Sequence, residues 1–245
     1  MEILGKVLAN LMKKKSFLCI ILARSGSKTI KNKNIAIIKN RPLIWYTIKE
    51  AKKSKVFDDI IVSTDSHKYK KISETFGAKV PFMRPKTLST NKAKAVDSLR
   101  YTLINYEKKT KKKYDYIIEL MCTNPLKNYL DIKRVANLQK KTNADSVIAV
   151  HEVEDGHPLR AKKIYKGKIK DFCLKETPET HRQDLKPKCY FRSGSIYSMR
   201  RDMLLKGIRY GTNNSIPYIL PKNRVINIDE KIDFLFAKFL IENKK

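Results

Sequence analysis

The stretch Cys19-Ile20-Ile21-Leu22-Ala23-Arg24-Ser25-Gly26-Ser27-Lys28-Thr29-Ile30-Lys31-Asn32-Lys33-Asn34 decides the fold class. It begins as an apolar run, passes through small residues and then carries four cations within ten positions. The apolar run is typical of a strand that is buried on both faces of a parallel sheet. A loop of small and basic residues directly after such a strand is typical of a site for phosphate groups.

Strand and helix patterns alternate through the rest of the chain. Strands are predicted at 17–22, 59–63, 78–83, 116–120, 145–153, 195–199 and 224–228, and helices at 43–51, 69–76, 93–106, 130–142, 200–205 and 231–242. Short connections between alternating strands and helices predict an α/β fold with a mainly parallel sheet. The 245 residues suffice for a single core, so we expect one domain at 17–245.

Residues 154–190 interrupt this alternation. They contain several prolines and glycines, two strand-like pieces near 162–165 and 168–173, and no helical period. This pattern predicts an inserted β-rich arm of the sort that reaches over a site or a second subunit. A separate N-terminal extension is predicted at 1–16, where apolar residues recur at helical spacing before three lysines.

The net charge of +30 is the strongest compositional signal. It admits a nucleic-acid partner, an anionic small substrate, or a compositional bias that fills the surface with lysine. The lysines are spread over the whole chain, and we find no basic patch with interleaved aromatic residues and no known reader motif, so nucleic acid is the least favoured partner.

The cysteines and the apolar runs bear on location. Cys19, Cys122, Cys173 and Cys189 form no CxxC pair, which predicts buried free thiols in a reducing compartment. No apolar run approaches the roughly 18 residues that a spanning helix needs, and the N-terminal lysines follow the apolar residues, which is the wrong order for a secretory signal. We therefore expect a cytoplasmic protein without a membrane partner.

Candidate site residues follow from the predicted sheet, because ligands of open parallel sheets bind at the carboxyl ends of the strands. The residues at those ends are Arg24 to Asn34, Ser63-Thr64-Asp65, Arg84-Pro85, Met121 to Pro125 and Asn227 to Asp229. Several cations with one carboxylate suit a magnesium nucleoside triphosphate. The loop contains neither GxxxxGK[ST] nor GxGxxG, which disfavours kinases, ATPases and dinucleotide enzymes.

The stretch Ala23-Arg24-Ser25-Gly26-Ser27-Lys28, followed by Lys33-Asn34, resembles a known signature loop. It is the loop of the acylneuraminate cytidylyltransferases, commonly written A-R-x-G-S-K-G-x-x-x-K-N. Further matches occur in the family's order: Val62-Ser63-Thr64-Asp65, Arg84-Pro85 with Leu88-Ser89, Thr123-Asn124-Pro125-Leu126, Arg182-Gln183-Asp184, Gly194-Ser195-Ile196-Tyr197 and Ile228-Asp229. The resemblance extends from Phe17 to the C-terminus.

This resemblance implies a Rossmann-like α/β protein, with helices on both faces of the sheet, that transfers CMP from CTP to the anomeric hydroxyl of an acidic nine-carbon sugar and releases pyrophosphate. N-acetylneuraminate, legionaminate and pseudaminate are all possible acceptors. It implies Mg²⁺ as cofactor and a homodimer held by the arm at 154–190. Alternatives are a nucleotidyltransferase for another acidic sugar such as an octulosonate, and a weakened homologue that binds nucleic acid.

The resemblance also implies residue roles. Arg24, Lys33 and Arg84 are the predicted catalytic residues; Ala23, Arg24, Ser27, Lys28, Lys33, Asn34 and Arg84 the nucleotide-binding residues; Met121, Thr123, Arg182 and Gln183 the acceptor-binding residues; and Asp229 and Asn227 the metal-binding residues. Four positions depart from the family pattern. Thr29 replaces a glycine, Met121 replaces a glutamine, Ser193 replaces the asparagine before the Gly194-Ser195-Ile196-Tyr197 match, and Asn227 replaces the first aspartate of the metal pair.

Overall fold

A computed structural model describes residues 15–153, 156–175 and 179–243. The predicted N-terminal extension at 1–16 therefore lies, apart from its last two residues, outside the described residues. The strands are β1 (Phe17–Leu22), β2 (Ile37–Ile38), β3 (Arg41–Pro42), β4 (Asp59–Ser63), β5 (Tyr116–Leu120), β6 (Ser146–Val153), β7 (Lys162–Tyr165), β8 (Lys168–Asp171), β9 (Cys189–Arg200) and β10 (Ser215–Ile219). The helices are α1 (Leu43–Ser54), α2 (His67–Thr75), α3 (Ala95–Thr110), α4 (Tyr129–Thr142), α5 (Arg201–Leu205) and α6 (Lys231–Glu242).

Six strands form the central sheet in the order β10-β6-β9-β5-β1-β4. β1 pairs in parallel with both β4 and β5, and β10 pairs in parallel with β6. β9 is antiparallel to its neighbours β5 and β6. The sheet is thus mainly parallel, which confirms the α/β prediction and places the ends of β1, β4 and β5 side by side.

Helices cover both faces of the sheet, and β1 shows why its sequence is continuously apolar. Phe17, Cys19 and Ile21 point into a core shared with α1, α2 and α4. Leu18 and Ile20 point into the opposite core, which is shared with α3 and α5. Every second residue meets a different layer of helices, so no position of the strand is left for a polar side chain.

Two predicted strands are wrong. At 78–83 there is only an isolated bridge between Lys79 and Ile61, because Pro81 has no N–H to continue a ladder. Residues 224–228 are not a strand either; the edge strand β10 lies earlier in the chain. β10 was not predicted because it contains Pro217, although proline is tolerated in an edge strand.

The segment after β10 crosses the carboxyl edge of the sheet instead of pairing within it. Residues Lys222–Arg224 form a 3-10 turn, and the backbone N–H of Ile228 donates to the carbonyl of Thr123 at 2.9 Å. Arg224 also forms a two-point ion pair with the fully buried Asp131 at the start of α4, at 2.7 and 2.9 Å. These bonds bring Asp229 to the end of β5.

The arm is partly as predicted. β7 and β8 form an antiparallel hairpin whose Ile164 and Ile169 are 82% and 75% exposed. β9, however, begins at Cys189 and not at 195, so the end of the predicted arm belongs to the central sheet. The four cysteines are free thiols; Cys19 and Cys122 are buried as predicted, whereas Cys173 is exposed and Cys189 is half-buried. Within the described ranges no helix has the length and apolarity to cross a membrane.

Candidate functional site

A cleft of about 320 Å³ opens at the carboxyl ends of β1, β4 and β5. Eight of the predicted site residues line it: Arg24, Ser27, Lys33, Asn34, Arg84, Met121, Thr123 and Asp229. Leu22, Leu88, Ala93 and Ala95 supply an apolar wall beside the cations. The cleft therefore combines a strongly basic end with an apolar surface large enough for a flat ring.

The loop after β1 is held from behind by Asp65. One carboxylate oxygen of Asp65 accepts from the backbone N–H of Ser25 and the other from its hydroxyl, each at 2.9 Å. The Asn34 side chain donates to the carbonyl of Arg24 at 3.1 Å, which closes the loop from its other end. These bonds fix the direction of the Arg24 backbone without using its guanidinium.

Thr29 does not strain this loop. The loop takes a left-handed conformation at Asn32, where φ is 56°, and Thr29 is not among the described residues with positive φ. The Thr29 hydroxyl instead donates to the carbonyl of Asp229 at 2.6 Å. A glycine at this position would have no side chain to make that bond.

Arg84 is the most deeply buried cation of the cleft, with 5% of its surface exposed. Its Nε donates to the hydroxyl of Ser89 at 3.0 Å, and its backbone N–H donates to the carbonyl of Thr64 at 2.8 Å. Burial lowers the pKa of the guanidinium from its usual value, with Asp65 raising it and Arg24 lowering it further. No described carboxylate forms an ion pair with Arg84, so a bound anion would be its natural partner.

Asp229 lies where the last crossing segment meets the loop. Its carboxylate accepts from Lys33 Nζ at 3.3 Å and from the side-chain amide of Asn227, while Lys33 Nζ also donates to the carbonyl of Ile228 at 2.7 Å. Gly194 packs against Asn227 so closely that a Cβ there would lie 3.0 Å from Asn227 Oδ1. Asp229 itself remains accessible, with 66% of its side chain exposed.

These donors fit magnesium. In the described part of the chain, no group of three or more His, Cys, Asp or Glu side chains is arranged to hold a metal. Mg²⁺ does not require such a group, because it binds through one or two carboxylates and completes its shell with water and substrate phosphates. Asp229 supplies one carboxylate beside the cations, whereas Asn227 donates its amide nitrogen to that carboxylate and packs its amide oxygen against Gly194.

The remaining predicted residues lie outside the cleft lining. Ala23 is buried beneath the loop, Lys28 is exposed, and Asn227 lies behind Asp229. Arg182 and Gln183 line a separate cavity of about 240 Å³ with His157 and Glu152. Their roles in binding stay predictions.

Three residues of the site were missed. Glu119 and Arg209 line the cleft as an ion pair, and Lys127 lies buried behind its wall. Glu119 could have been found, because it is a carboxylate inside the apolar strand β5. Nothing in so lysine-rich a sequence distinguishes Arg209 or Lys127.

Lys127 organises the wall formed by Met121 to Asn124. Its ammonium group donates to the carbonyl oxygens of Met121 and Asn124, both at 2.6 Å, and to the hydroxyl of Thr47 at 2.9 Å. Among the residues that the structure describes, the hydroxyl of Thr123 on the same wall has no hydrogen-bond partner and is buried. Lys127 thus holds in place a wall segment that contains a buried, unsatisfied hydroxyl.

We expect Lys127 to make the free energy of unfolding depend on pH in the alkaline range. Burial lowers its pKa to about 8, whereas in the unfolded chain the value returns to about 10.4. The unfolded state therefore binds more protons between these values, and the free energy of unfolding rises with pH across this window. Relative to Lys127→Met, the wild type should gain about 2 kcal/mol between pH 7 and pH 9.5, measured by urea unfolding. An equal pH dependence of the two proteins would contradict the lowered pKa of the buried Lys127.

The chain matches the model of one protein family, "Cytidylyltransferase", over residues 18–220. It is 34% identical to "Post-translational flagellin modification protein B" of Campylobacter coli, over 93% of this chain and 95% of that protein. It is 31% identical to a CMP-N,N'-diacetyllegionaminic acid synthase of Campylobacter jejuni, with the same coverage. It is 32% identical to an N-acylneuraminate cytidylyltransferase of Streptococcus agalactiae, over 93% of this chain and 55% of that longer protein.

Among solved structures, the fold is similar to that of a CMP:2-keto-3-deoxy-manno-octonic acid synthetase complexed with CTP. The TM-score is 0.68 over 94% of this chain and 100% of that one. The sequence identity is 16%, so this likeness concerns the fold alone.

Proposed function

Because the chain belongs to the cytidylyltransferase family, we propose that its cleft binds CTP and transfers CMP to the anomeric hydroxyl of a nonulosonic acid. The chain is a nucleotidyltransferase of the acylneuraminate cytidylyltransferase type. The observation that carries the proposal is the convergence of Arg24, Lys33 and Arg84 with Asp229 in one cleft that also has an apolar wall.

The nucleotide is proposed to occupy the end of the cleft nearest the loop. Arg24, Lys33 and Arg84 would bind the triphosphate, which suits their charge and the absence of a carboxylate partner on Arg84. The apolar wall of Leu22, Leu88, Ala93 and Ala95 would pack against the pyrimidine ring. Asn34, closing the loop, would hold the nucleotide in register with the cations.

The reaction is an in-line displacement at the α-phosphorus. The anomeric oxygen of the acceptor forms a bond to that phosphorus, the bond to the oxygen bridging α- and β-phosphates breaks, pyrophosphate leaves, and the hydroxyl proton passes to solvent or base. The protein contributes mainly position and charge neutralisation to such a step. Arg84 is suited to the charge that grows on pyrophosphate, because a desolvated guanidinium interacts strongly with it.

Asp229 would hold Mg²⁺, and Asn227, whose amide nitrogen donates to the same carboxylate, would add a neutral oxygen once its amide turned over. A divalent ion there would supply charge neutralisation for the phosphate oxygens. Lys33 contacts the same carboxylate at 3.3 Å, so this lysine also sets where the carboxylate points before the nucleotide arrives.

The acceptor would lie at the other end, against Met121 and Thr123. The buried, unsatisfied hydroxyl of Thr123 would find a partner there. A homodimer is part of this proposal, since the hairpin β7–β8 exposes Ile164 and Ile169 to a degree unusual for isoleucine. Arg182 and Gln183 would then contribute to the acceptor site of the partner subunit.

The test is a pyrophosphate-release assay with CTP, Mg²⁺ and four acceptors: N-acetylneuraminate, legionaminate, pseudaminate and an octulosonate. We expect turnover with at least one of the three nine-carbon acids and selectivity for CTP over UTP and GTP. Turnover with the octulosonate alone would move the assignment to the eight-carbon class. Binding of CTP without turnover of any acid would refute the acceptor class but not the nucleotide site.

A further inference from the structure

One part of the cleft wall is the ion pair of Glu119 with Arg209, which the proposed nucleotide site does not use. Glu119 is the sole charged residue of β5, and its side chain is 2% exposed. Arg209, in the segment after α5, donates from Nε to Glu119 Oε2 at 2.6 Å, and its Nη2 lies 2.5 Å from the same oxygen. Both residues line the cleft beside Met121.

The guanidinium of Arg209 is held in one position. It stacks on Tyr197 with its central carbon 3.9 Å from the ring centre, and it lies 5.5 Å from the ring centre of Tyr210. Its Nη2 is 3.9 Å from the sulfur of Met121. Four side chains thus fix the plane of the guanidinium, as recognition of a specific group requires.

Stability alone does not explain this pair. Burial raises the pKa of Glu119 even though Arg209 beside it lowers it, so desolvation of the carboxylate is costly. Replacing such buried pairs by apolar residues is often neutral or stabilising in proteins. A pair of this kind on the wall of a binding cleft therefore points to a ligand.

The contacts within the pair leave one donor and one acceptor unused. The Nε hydrogen bond and the Nη2 ion-pair contact both end on Oε2, so Glu119 Oε1 accepts no hydrogen bond from the residues that the structure describes, and Arg209 Nη1 donates none to them. The opposite charges largely cancel at a distance, which disfavours an anion as the ligand. A neutral group with its own donor and acceptor on separate atoms matches the unused pair, and an amide is such a group.

We propose that the Glu119–Arg209 pair determines acceptor specificity by binding an acylamino substituent of the sugar. The Nη1 of Arg209 donates to the amide carbonyl oxygen, and Glu119 accepts from the amide N–H. The side chain of Met121 packs against the acyl group, a role that suits a flexible thioether. This inference rests on the proposed function, because it assigns one part of the same cleft to the acceptor.

The experiment compares two acceptors that differ in one substituent. These are the best acceptor of the panel and its analogue with a hydroxyl in place of the acylamino group. A site built to hydrogen-bond a substituent rejects an analogue that lacks it strongly, so wild-type kcat/KM should favour the acylamino acid by about 10²-fold or more. The KM for CTP should be the same with both acceptors.

The decisive variant is the double substitution Glu119→Leu with Arg209→Met, because it leaves no unpaired buried charge. It should lose about 10²-fold in kcat/KM for the acylamino acid and change little for the hydroxyl analogue, so that the preference nearly vanishes. Arg209→Lys keeps a positive charge beside Glu119 but lacks the planar, forked guanidinium, so this variant should also lose most of the preference for the acylamino acid.

The matched control is Arg201→Met. Arg201 forms a similar pair with Glu107, at 2.8 and 2.6 Å, and neither residue lines the cleft. This variant should lower stability and leave the acceptor preference intact.

Two results would overturn the inference. One is a preference that survives in a double variant whose circular dichroism and CTP binding are normal. The other is an equal loss for both acceptors, which would mean that the pair binds a group common to both, such as the carboxylate. Absence of wild-type turnover with every nine-carbon acid would instead refute the proposed function, and the acylamino assignment with it.

Discussion

Arg84→Met is expected to lower kcat/KM for CTP by about 10²–10³-fold while the protein stays at least as stable as the wild type. Arg84 is 5% exposed, desolvation by burial lowers the pKa of its guanidinium, and no described carboxylate forms an ion pair with it. Burying an unpaired charge costs free energy, so removing it relieves the folded state. In the proposed mechanism the same charge stabilises the departing pyrophosphate, so removing it should slow the reaction.

The measurement combines steady-state kinetics with thermal unfolding in the absence of nucleotide. Arg84→Lys is the matched control, because it keeps one positive charge but not the planar fork, and we expect a smaller loss of activity. A variant that loses activity and stability together would show that Arg84 is mainly structural.

Asp229→Asn is expected to lower kcat/KM by about 10²-fold and to raise the Mg²⁺ concentration needed for half-maximal rate. Asp229 is the carboxylate in the cleft that is both accessible and in contact with Lys33, one of the cations proposed to bind phosphate. Losing its charge weakens the hold on a hard cation. Calorimetric titration of Mn²⁺ into the CTP complex provides a readout that does not depend on turnover.

Asn227→Asp is the complementary variant. It adds a second carboxylate beside Asp229, where the two side chains already touch, and should strengthen metal binding. Unchanged metal dependence in both variants would place the metal site elsewhere.

The sequence was most informative where residues repeat a physical pattern. The alternation of buried strands and helices predicted the sheet, and the residues at strand ends predicted most of the cleft. The prediction failed where tertiary contacts override local pattern. A strand was wrongly predicted around Pro81, where proline ends the ladder. The edge strand around Pro217 was missed, because proline is tolerated on an edge.

The site residues that were missed have a different origin. Arg209 reaches Glu119 from 90 residues away, and Lys127 gains its bond to Thr47 only once α1 packs against the wall. Neither residue has a local signal, since a buried lysine or arginine in this chain looks like any of its 54 basic residues. Of the three, Glu119 alone could have been predicted to need a partner, because it is a charged residue inside an apolar strand.

Two hydrogen bonds join the loop after β1 to the segment that precedes α6. The Thr29 hydroxyl reaches the carbonyl of Asp229 across 200 positions, and Lys33 reaches that of Ile228 across 195. Contacts of such long sequence separation carry a large loop-closure cost and form late in folding. A nascent chain that has completed β1 through β9 thus has five of the six strands of its central sheet but lacks the contacts that complete the proposed nucleotide site. Recovery of CTP binding during refolding should therefore trail recovery of secondary structure, and the nucleotide itself favours the last step.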